Sequence, residues 1–259
     1  MIEKTIGFIG GGRVTRIILQ GFKRESLAFR KVVVSDINPE VLNHLKEKFP
    51  DITIVPNNNL LPASGDVVFI ALHPPALPPV LDEIKPSLEQ ECVLISLAPK
   101  VTISKISERL AGFKRIARMI PNACSIVNMG YNPVAFSSAF NESEKQDVFS
   151  LMAPLGGCPE VREETLEAYA ILAAMGPTYL WFQLYELERI GTSFGLTARE
   201  VRSAVAHMTE GAARVVLESD LTPEDVMDLI PVKPLQEEEE TIKNLYRSKL
   251  EGLYRRLKA

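Results

Sequence analysis

The sequence predicts an α/β protein in which a doubly wound parallel sheet is followed by an all-helical domain. Two observations predict this fold class. Up to about residue 155, short β-branched runs alternate with amphipathic helical stretches, as in repeated βαβ units. After Gly156-Gly157-Cys158-Pro159, turn residues become sparse and long helical periodicity takes over. We therefore expect a sheet domain over residues 1–158 and a helical domain over residues 159–259.

The first domain is predicted to contain seven strands with helices between them. Most of these strands are apolar on both faces, which is typical of a parallel sheet covered by helices. The predicted strands are Ile6–Ile9, Val32–Ser35, Ile52–Val55, Val67–Ala71, Val93–Leu97, Ile116–Met119 and Val134–Phe136. The helices are expected at Arg13–Lys23, Pro39–Lys48, Ala76–Ile84 and Glu142–Leu151.

The second domain contains a stretch, Leu166–Ile190, that is apolar nearly all round and is interrupted at Gly176-Pro177. A helix that is apolar on all sides must be buried, and a small helical domain buries it most easily against a second copy of itself. The sequence therefore predicts a homodimer formed through this domain. Capping patterns at Thr197 and Thr222 predict the starts of two further helices, and an acidic run from Glu237 precedes a last one.

Composition and charge exclude several classes of protein. The 29 basic and 33 acidic residues give a net charge of −4, so no general field attracts nucleic acid or an anionic membrane. No run approaches the roughly 20 apolar residues of a membrane-spanning helix, and the N-terminus lacks the pattern of a secretory signal. The three cysteines lack the spacing of metal ligands, and no metal site is expected. We expect a cytoplasmic protein.

The strongest chemical signal is the segment Gly7–Thr15, in which a strand leads into glycines and then into a helix. Gly10 allows a tight turn, and Gly12 allows the backbone to approach a pyrophosphate at the helix N-terminus. Asp36 follows at the end of the next strand, where an acidic residue meets the adenosine ribose of a Rossmann fold. The segment predicts dinucleotide binding, and a carboxylate at this position favours NADH over NADPH.

The sequence resembles the pyrroline-5-carboxylate reductase family over nearly its whole length. The matching pieces are Gly7–Gly12, Asp66–Pro74, Arg118–Asn122, Gly176–Tyr179 and Gly211–Ala213. The resemblance implies a Rossmann domain followed by a helical domain that interleaves with that of a partner. It also implies NAD(P)H as cofactor, with the nicotinamide and a small-molecule substrate between the two domains.

The glycine segment and the resemblance together assign residues to the two ligands. The residues expected at the cofactor are Gly10, Gly12, Arg13, Val14, Asp36, Asn58, Ala71, Leu72, His73, Pro74, Ala98 and Asn122. Those expected at the substrate are Asn122, Met175, Gly176, Pro177 and Lys233. The three histidines have no partnered carboxylate pattern, so the sequence identifies no catalytic acid or base.

Departures from the family pattern lie in the substrate half. Ala173-Ala174-Met175 stands where family members carry Ser-Gly-Ser, and Ile230–Leu235 replaces a Ser-Pro-Gly-Gly-Thr-Thr loop that binds the substrate carboxylate. Pro234 has no N–H and Leu235 has no hydroxyl, so donors to an anion are missing. We therefore expect hydride transfer to a C=N or C=O group of a small substrate other than pyrroline-5-carboxylate. Two alternatives stay open: a coenzyme F420-type NADP oxidoreductase, and a non-catalytic dinucleotide-binding protein.

Overall fold

The computed structural model describes residues 2–258. Two compact units are present. One contains the chain up to Met175 together with a short C-terminal piece that begins at Tyr254, and the other is Gly176–Leu253. The division into domains at residues 158 and 159 stays a prediction.

The first unit is built on a seven-stranded sheet in the order β3-β2-β1-β4-β5-β6-β8. Strands β1 to β6 run parallel, and β8 pairs antiparallel with β6. Strands β7 and β9 form a separate two-stranded sheet. The strands are β1 (Ile2–Ile9), β2 (Phe29–Asp36), β3 (Thr53–Pro56), β4 (Val67–Ile70), β5 (Val93–Ser96), β6 (Ile116–Met119), β7 (Gly130–Tyr131), β8 (Val134–Phe136) and β9 (Gly156–Gly157). The predicted fold class, a doubly wound sheet followed by helices, is confirmed.

The central strands are buried on both faces, as their apolar composition predicts. Every residue of β4 and β5 is buried, and alternate side chains enter two separate cores on opposite sides of the sheet. Phe8 and Phe69 stack in one core with ring centroids 4.8 Å apart, whereas Ile70 and Leu94 lie in the other. Two covered faces require helices on both sides, which is the doubly wound arrangement.

Helices fill the connections and most of the chain after residue 165. They are α1 (Arg13–Arg24), α2 (Pro39–Lys48), α3 (Leu60–Ala63), α4 (Leu77–Ile84), α5 (Ile103–Arg109), α6 (Glu142–Met152), α7 (Leu166–Tyr169), α8 (Pro177–Ser193), α9 (Ala198–Glu218), α10 (Pro223–Asp228) and α11 (Glu239–Lys258). The caps predicted at Thr197 and Thr222 are both present, each with the reciprocal bonds of a capping box. Strands β1 and β2 begin earlier than predicted, because their first residues pair in the sheet while their side chains remain partly exposed.

The apolar stretch after Leu166 is less regular than its periodicity indicates. Helix α7 passes into a π-helix, Ala170–Ala174, in which the N–H of Met175 donates to the carbonyl of Ala170 at 2.9 Å. Helix α8 then begins at Pro177, which occupies the first helical position, where its missing N–H costs nothing. Single-turn π-helices are often found at functional sites.

Helix α8 is not buried within a single chain, and its burial against a second copy stays a prediction. None of its residues is buried, and Phe182 and Tyr185 are 66% and 72% exposed. In the whole of the second unit, Val201 is the one buried residue. The three helices that follow α8 leave it uncovered. Among residues 2–258, no helix is both long and apolar enough to cross a membrane.

Candidate functional site

The residues predicted to bind a cofactor lie along one edge of the sheet. Because β1 to β6 are parallel, the segments that follow them all emerge at the carboxyl ends of the strands. The order of the strands reverses direction between β1 and β4, which opens a crevice at this edge. Open α/β sheets bind ligands in this crevice.

The turn after β1 is held by contacts that only a glycine permits. Gly10 has φ +101°, and a Cβ built on it would lie 2.5 Å from the carbonyl oxygen of Ala71. Its N–H donates to the carbonyl of Ser35 at 2.8 Å. The buried hydroxyl of Thr15 donates back to the carbonyl of Gly10, a bond that the sequence does not reveal. The turn is therefore tied to β2, β4 and α1 before any ligand binds.

At Gly12, by contrast, no contact within the protein requires a glycine. It caps α1 with an ordinary φ of −72°, and a Cβ built on it would meet nothing within 4 Å. The first N–H groups of a helix, here at Arg13 and Val14, have no intrahelical acceptor, and α1 has no side-chain cap. A glycine facing open space beside free N–H donors fits a pyrophosphate, since a side chain would occupy the space of the ligand.

Asp36 closes the end of β2 onto the glycine turn. Its Oδ2 accepts the N–H of Gly11 at 2.8 Å, and its Oδ1 accepts the N–H of Asn38 at 2.9 Å. The side chain is half-buried. Each oxygen of the carboxylate thus accepts a hydrogen bond from a backbone N–H group. The spacing of Asp36 from Gly12 in the sequence does not predict these two bonds.

The other predicted residues border the same edge with different degrees of exposure. Ala71 continues the pairing of β4 through an N–H bond to Ile9 at 2.8 Å, whereas Ala98, after β5, is buried. His73 is exposed, and Leu72 and Pro74 are half-buried. Asn58 is exposed at the start of α3, where its Oδ1 accepts the N–H of Leu61 at 3.2 Å.

A cleft of about 500 Å³ opens beside the glycine turn, between α1 and α2. It is lined by Gly11, Gly12, Arg13, Arg16, Asn38, Glu40, Val41, His44, Leu45, Lys48 and His73. Gly12, Arg13 and His73 were predicted from the sequence at the cofactor, whereas Arg16, His44 and Lys48 were not. The spacing of Arg13 from Arg16 and of His44 from Lys48 puts each pair on one helix face, which is the signal that could have found them.

Asn122 is fully engaged by the protein. Its Nδ2 donates to the carbonyl of Ala173 at 2.8 Å, and its Oδ1 accepts the N–H of Cys124 at 2.8 Å. The buried Asn132 accepts the N–H of Asn122 at 2.9 Å. Because the carbonyl of Ala173 belongs to the π-helix, Asn122 fixes that helix to the end of β6.

A buried ion network reinforces the same connection. Arg118, in β6, is 2% exposed and donates to Glu163 at 2.9 Å and to Glu167 at 2.8 Å. Burial disfavours ionisation of Glu167, but the hydrogen bond and charge of Arg118 outweigh it and lower the pKa of that carboxyl. The two acids also accept the N–H groups of Ile103 and Lys100. In the sequence, Arg118 stands out only as part of the piece Arg118–Asn122. Its partners Glu163 and Glu167 lie more than forty residues further along the chain, so no local pattern connects them to it.

The residues predicted at the substrate fall in both units. Asn122 and Met175 belong to the first unit, whereas Gly176, Pro177 and Lys233 belong to the second. Lys233 lies between α10 and α11 close to an acidic run. The pKa of Glu239 is lowered chiefly by its hydrogen bond with Lys243, and the charge of Lys233 adds to this.

The thiols show no sign of activation. Burial raises the pKa of Cys92 and that of Cys158 to about 12, and it also raises the pKa of Cys124. A thiol that stays protonated is a poor nucleophile and a poor metal ligand. Among residues 2–258, no group of three His, Cys, Asp or Glu side chains could hold a metal ion.

Comparisons with known proteins show which family and which fold the chain is similar to. The family model described as "NADP oxidoreductase coenzyme F420-dependent" matches residues 5–100, less than half of the chain. Pyrroline-5-carboxylate reductase 2 of Homo sapiens is 27% identical over 230 residues, which cover 86% of this chain and 71% of the relative. The chain is pyrroline-5-carboxylate reductase-like. The predicted resemblance to the pyrroline-5-carboxylate reductase family is thus confirmed, and so is the prediction of an NAD(P)H-dependent oxidoreductase.

Solved structures of such reductases share the fold over nearly their whole length. A pyrroline-5-carboxylate reductase from Coxiella burnetii has a TM-score of 0.71 and 27% identity, covering 98% of this chain and 94% of that one. A pyrroline carboxylate reductase from Plasmodium falciparum, solved with NADP bound, has a TM-score of 0.84 and 21% identity, covering 100% and 98%. The pyrroline-5-carboxylate reductase-like chain therefore has the architecture of these enzymes in both of its parts.

Proposed function

We propose that this protein transfers a hydride from NAD(P)H, held at the glycine turn, to a C=N or C=O carbon of a small substrate. The observation that carries the proposal is Gly12. It has an ordinary backbone conformation and open space around it, so a ligand explains the glycine where the fold does not. The bound cofactor supplies the hydride, and the protein supplies binding, orientation and exclusion of water.

The proposed roles of the residues follow the edge of the sheet. Gly10 shapes the turn, and the N–H groups of Gly12, Arg13 and Val14 bind the pyrophosphate. Asp36 and Asn58 border the adenosine end, at the ends of β2 and β3. The residues proposed to border the nicotinamide half are Ala71, Leu72, His73, Pro74, Ala98 and Asn122. Asn122 is proposed to lie beside the nicotinamide without a hydrogen bond from its side chain to the cofactor, because that side chain already bonds Ala173 and Cys124.

We further propose that the substrate is not pyrroline-5-carboxylate. Each charge-assisted bond to a carboxylate contributes roughly 1.5–3 kcal/mol, and donors are lost at Pro234 and Leu235. The ammonium group of Lys233 would attract an acid group of a substrate. It also interacts with the carboxylate of Glu239, because its charge helps to lower the pKa of that carboxyl. Met175, Gly176 and Pro177 stay candidate substrate residues. A deficit of about 3 kcal/mol corresponds to more than a hundredfold in binding.

Steady-state oxidation of NADPH and NADH tests the proposal. The assay offers pyrroline-5-carboxylate, other cyclic imines and small keto acids to the wild type and to Lys233→Ala. We expect turnover of at least one imine or carbonyl compound, with pyrroline-5-carboxylate at least about a hundredfold less efficient. Efficient use of pyrroline-5-carboxylate that is lost in Lys233→Ala would show a rebuilt carboxylate site. Tight binding of NADPH without turnover of any compound would favour the non-catalytic alternative.

A second candidate function is reduction or oxidation of a deazaflavin of the coenzyme F420 type. The family model that matches residues 5–100 favours it, although that match stops within the sheet domain. Pyrroline-5-carboxylate reductases among the relatives and the solved structures match the helical part as well. Absorbance of F420 during incubation with NADPH separates the two candidates: an unchanged F420 spectrum is expected, and rapid bleaching would favour the second.

We propose that the working form is a homodimer in the cytoplasm. The exposed apolar side chains of α8 support a second copy of the chain as the partner, since monomers rarely expose an apolar patch beyond a few hundred Å². An odd number of widely spaced cysteines suits a reducing compartment. The charge of −4 supports neither a nucleic acid nor a membrane as partner.

A further inference from the structure

A second groove opens at the end of β2 that lies away from the glycine turn. Strand β3 pairs with β2 only from Val33 onward, so within residues 2–258 the segment Phe29–Val32 has no neighbouring strand on that side. The end of α1 and the chain that follows α2 border this gap and enclose about 490 Å³. Small-molecule pockets have volumes of roughly 300–1,000 Å³. Among the described residues, the groove and the cleft beside the glycine turn share no lining residue.

Core residues form the floor of this groove. Leu19, Phe22, Phe49 and Ile52 line it, and the most exposed of the four, Phe49, is 7% exposed. The ring of Phe22 meets that of Phe29, which also lines the groove, edge to face with centroids 5.1 Å apart. Aromatic rings attract one another in this way, because the edge of one ring is positive and the face of the next is negative. The floor therefore suits a flat aromatic group.

The rim of the groove is basic. Lys23, Arg30 and Lys31 line it, and within residues 2–258 Asp51 is the one carboxylate that does so. The chain as a whole has a net charge of −4, so the rim is a local excess of positive charge. An apolar floor beside a positive rim is complementary to a ligand with an apolar body and an anionic end.

Lys31 is the rim cation that is available to an anion. It is exposed, and no ion-pair contact found within residues 2–258 includes it. Arg30 instead pairs with Asp66 at 2.9 Å, and the ammonium group of Lys23 donates to the carbonyl of Lys48 at 3.1 Å. An ammonium group has three donors, so Lys23 can bind an anion as well.

A serine stands at the rim where the backbone favours glycine. Ser26 follows the C-cap of α1 with φ +54°, and its N–H donates to the carbonyl of Lys23 at 3.1 Å. A left-handed residue at this place is most often glycine, because a side chain is strained there. Ser26 lines the groove, where its hydroxyl group can donate to an anion.

We propose that this groove is a second ligand-binding site, and that its ligand is an aromatic carboxylic acid. The aromatic ring of the ligand packs on Phe22, Phe29 and Phe49. The ammonium groups of Lys31 and Lys23 bind its carboxylate. The groove lies away from the glycine turn, so this inference goes beyond the proposed function and does not rest on it.

Ligand-observed NMR titration measures binding to the protein. The probes are indole-3-propionate, its amide, which has the same shape without the charge, and octanoate, which has the charge without a ring. We expect indole-3-propionate to bind with a Kd of about 1 mM or lower, as is typical of ligands with about 14 non-hydrogen atoms. The amide should bind at least about threefold more weakly because it forms no ion pair. Octanoate should do the same because it lacks the ring.

Variants at the rim and at the floor locate the contacts. Lys31→Gln should weaken binding of the acid at least about threefold and leave that of the amide unchanged. Phe29→Leu should weaken binding of both compounds alike, since both lose the same ring contact. The controls are Lys105→Gln, at an exposed lysine of α5, and Phe113→Leu, at a half-buried ring that packs on the other core of the sheet. Neither should change the affinity, and thermal unfolding checks that each variant is folded.

Saturating NADPH distinguishes this groove from the cofactor site. It should leave the Kd of the acid unchanged within about twofold, because the glycine turn lies at the other end of β2. Displacement of the acid by NADPH would put the acid in the cofactor site, which would overturn this inference and leave the proposed function in place. No binding of indole-3-propionate at millimolar concentration, equal binding of its amide or of octanoate, or undiminished binding in both variants would also overturn it.

Discussion

Arg118 and Glu167 form a buried ion pair, with Nη2 of the arginine 2.8 Å from Oε1 of the acid and side chains 2% and 8% exposed. Glu167 lies in α7, at the start of the segment that leads to Gly176-Pro177. The pair therefore joins the last parallel strand of the sheet to the first turn of the helical part of the chain.

Neutralising this acid should destabilise the protein. Glu167→Gln keeps the shape of the side chain but leaves Arg118 with Glu163 alone, which we expect to cost about 2 kcal/mol. Thermal unfolding should show the midpoint lowered by roughly 4–8 °C. Glu186→Gln, which breaks an exposed pair with Arg189 in α8, is the control and should change it by no more than about 2 °C.

The effect of Glu167→Gln should depend on pH in one direction. The pKa of Glu167 is lowered in the folded protein, so its contribution is fully present above the ordinary glutamate pKa of about 4.3. The contribution is lost as pH falls through the lowered value. The difference between wild type and variant should thus be constant from pH 6 to 7 and shrink at about pH 3.5. A difference of the same size at all these pH values would contradict the ion pair as its cause.

Gly10 should be needed for folding. Gly10→Ala places a Cβ 2.5 Å from the carbonyl oxygen of Ala71 at φ +101°, and we expect a loss of about 3 kcal/mol or more. Gly112→Ala is a matched control, because Gly112 has φ +87° with nothing within 4 Å of the added Cβ. It should lose about 1 kcal/mol from backbone strain alone. Chemical denaturation measures both, and equal losses would show that the contact with Ala71 is unimportant.

The exposed face of α8 should hold the dimer together. Phe182→Glu combined with Tyr185→Glu introduces two charges where an apolar partner surface is proposed, and burying an unpaired charge is strongly unfavourable. Light scattering at micromolar concentration should give a dimer for the wild type and a monomer for the variant. Ile37→Glu, at an equally exposed apolar residue of the sheet domain, should remain dimeric. A monomeric wild type would contradict the proposal.

Local patterns predicted the sheet domain well. The strand Ile116–Met119 and the helix Pro39–Lys48 have the bounds that the sequence indicates, because apolar runs and a proline-capped start determine them locally. The tight turn at Gly10 was predicted for the same reason, whereas the role of Gly12 stays a prediction. Repeated βαβ units predict a parallel, doubly wound sheet but not the order of its strands, because right-handed crossovers are compatible with more than one order.

Contacts between distant segments were not predictable in this way. The direction of the Asp36 carboxylate depends on the N–H groups of Gly11 and Asn38, and the hydroxyl of Thr15 depends on the position of Gly10. Periodicity indicates that α8 must be covered but not whether its own chain covers it. The cleft beside the glycine turn forms only where α1 and α2 lie side by side, so the spacing within each helix gives Arg16 and Lys48 a shared face with Arg13 and His44 but does not bring the two faces together.

Binding of NADPH to wild type and to Gly12→Val tests most directly whether the glycine turn holds the cofactor. A Cβ added at Gly12 meets nothing within 4 Å, so we expect the variant to unfold within about 2 °C of the wild type. It should bind NADPH at least about a hundredfold more weakly, because the side chain occupies the space proposed for the pyrophosphate. Calorimetry that shows a folded Gly12→Val protein with undiminished affinity for NADPH would contradict the account.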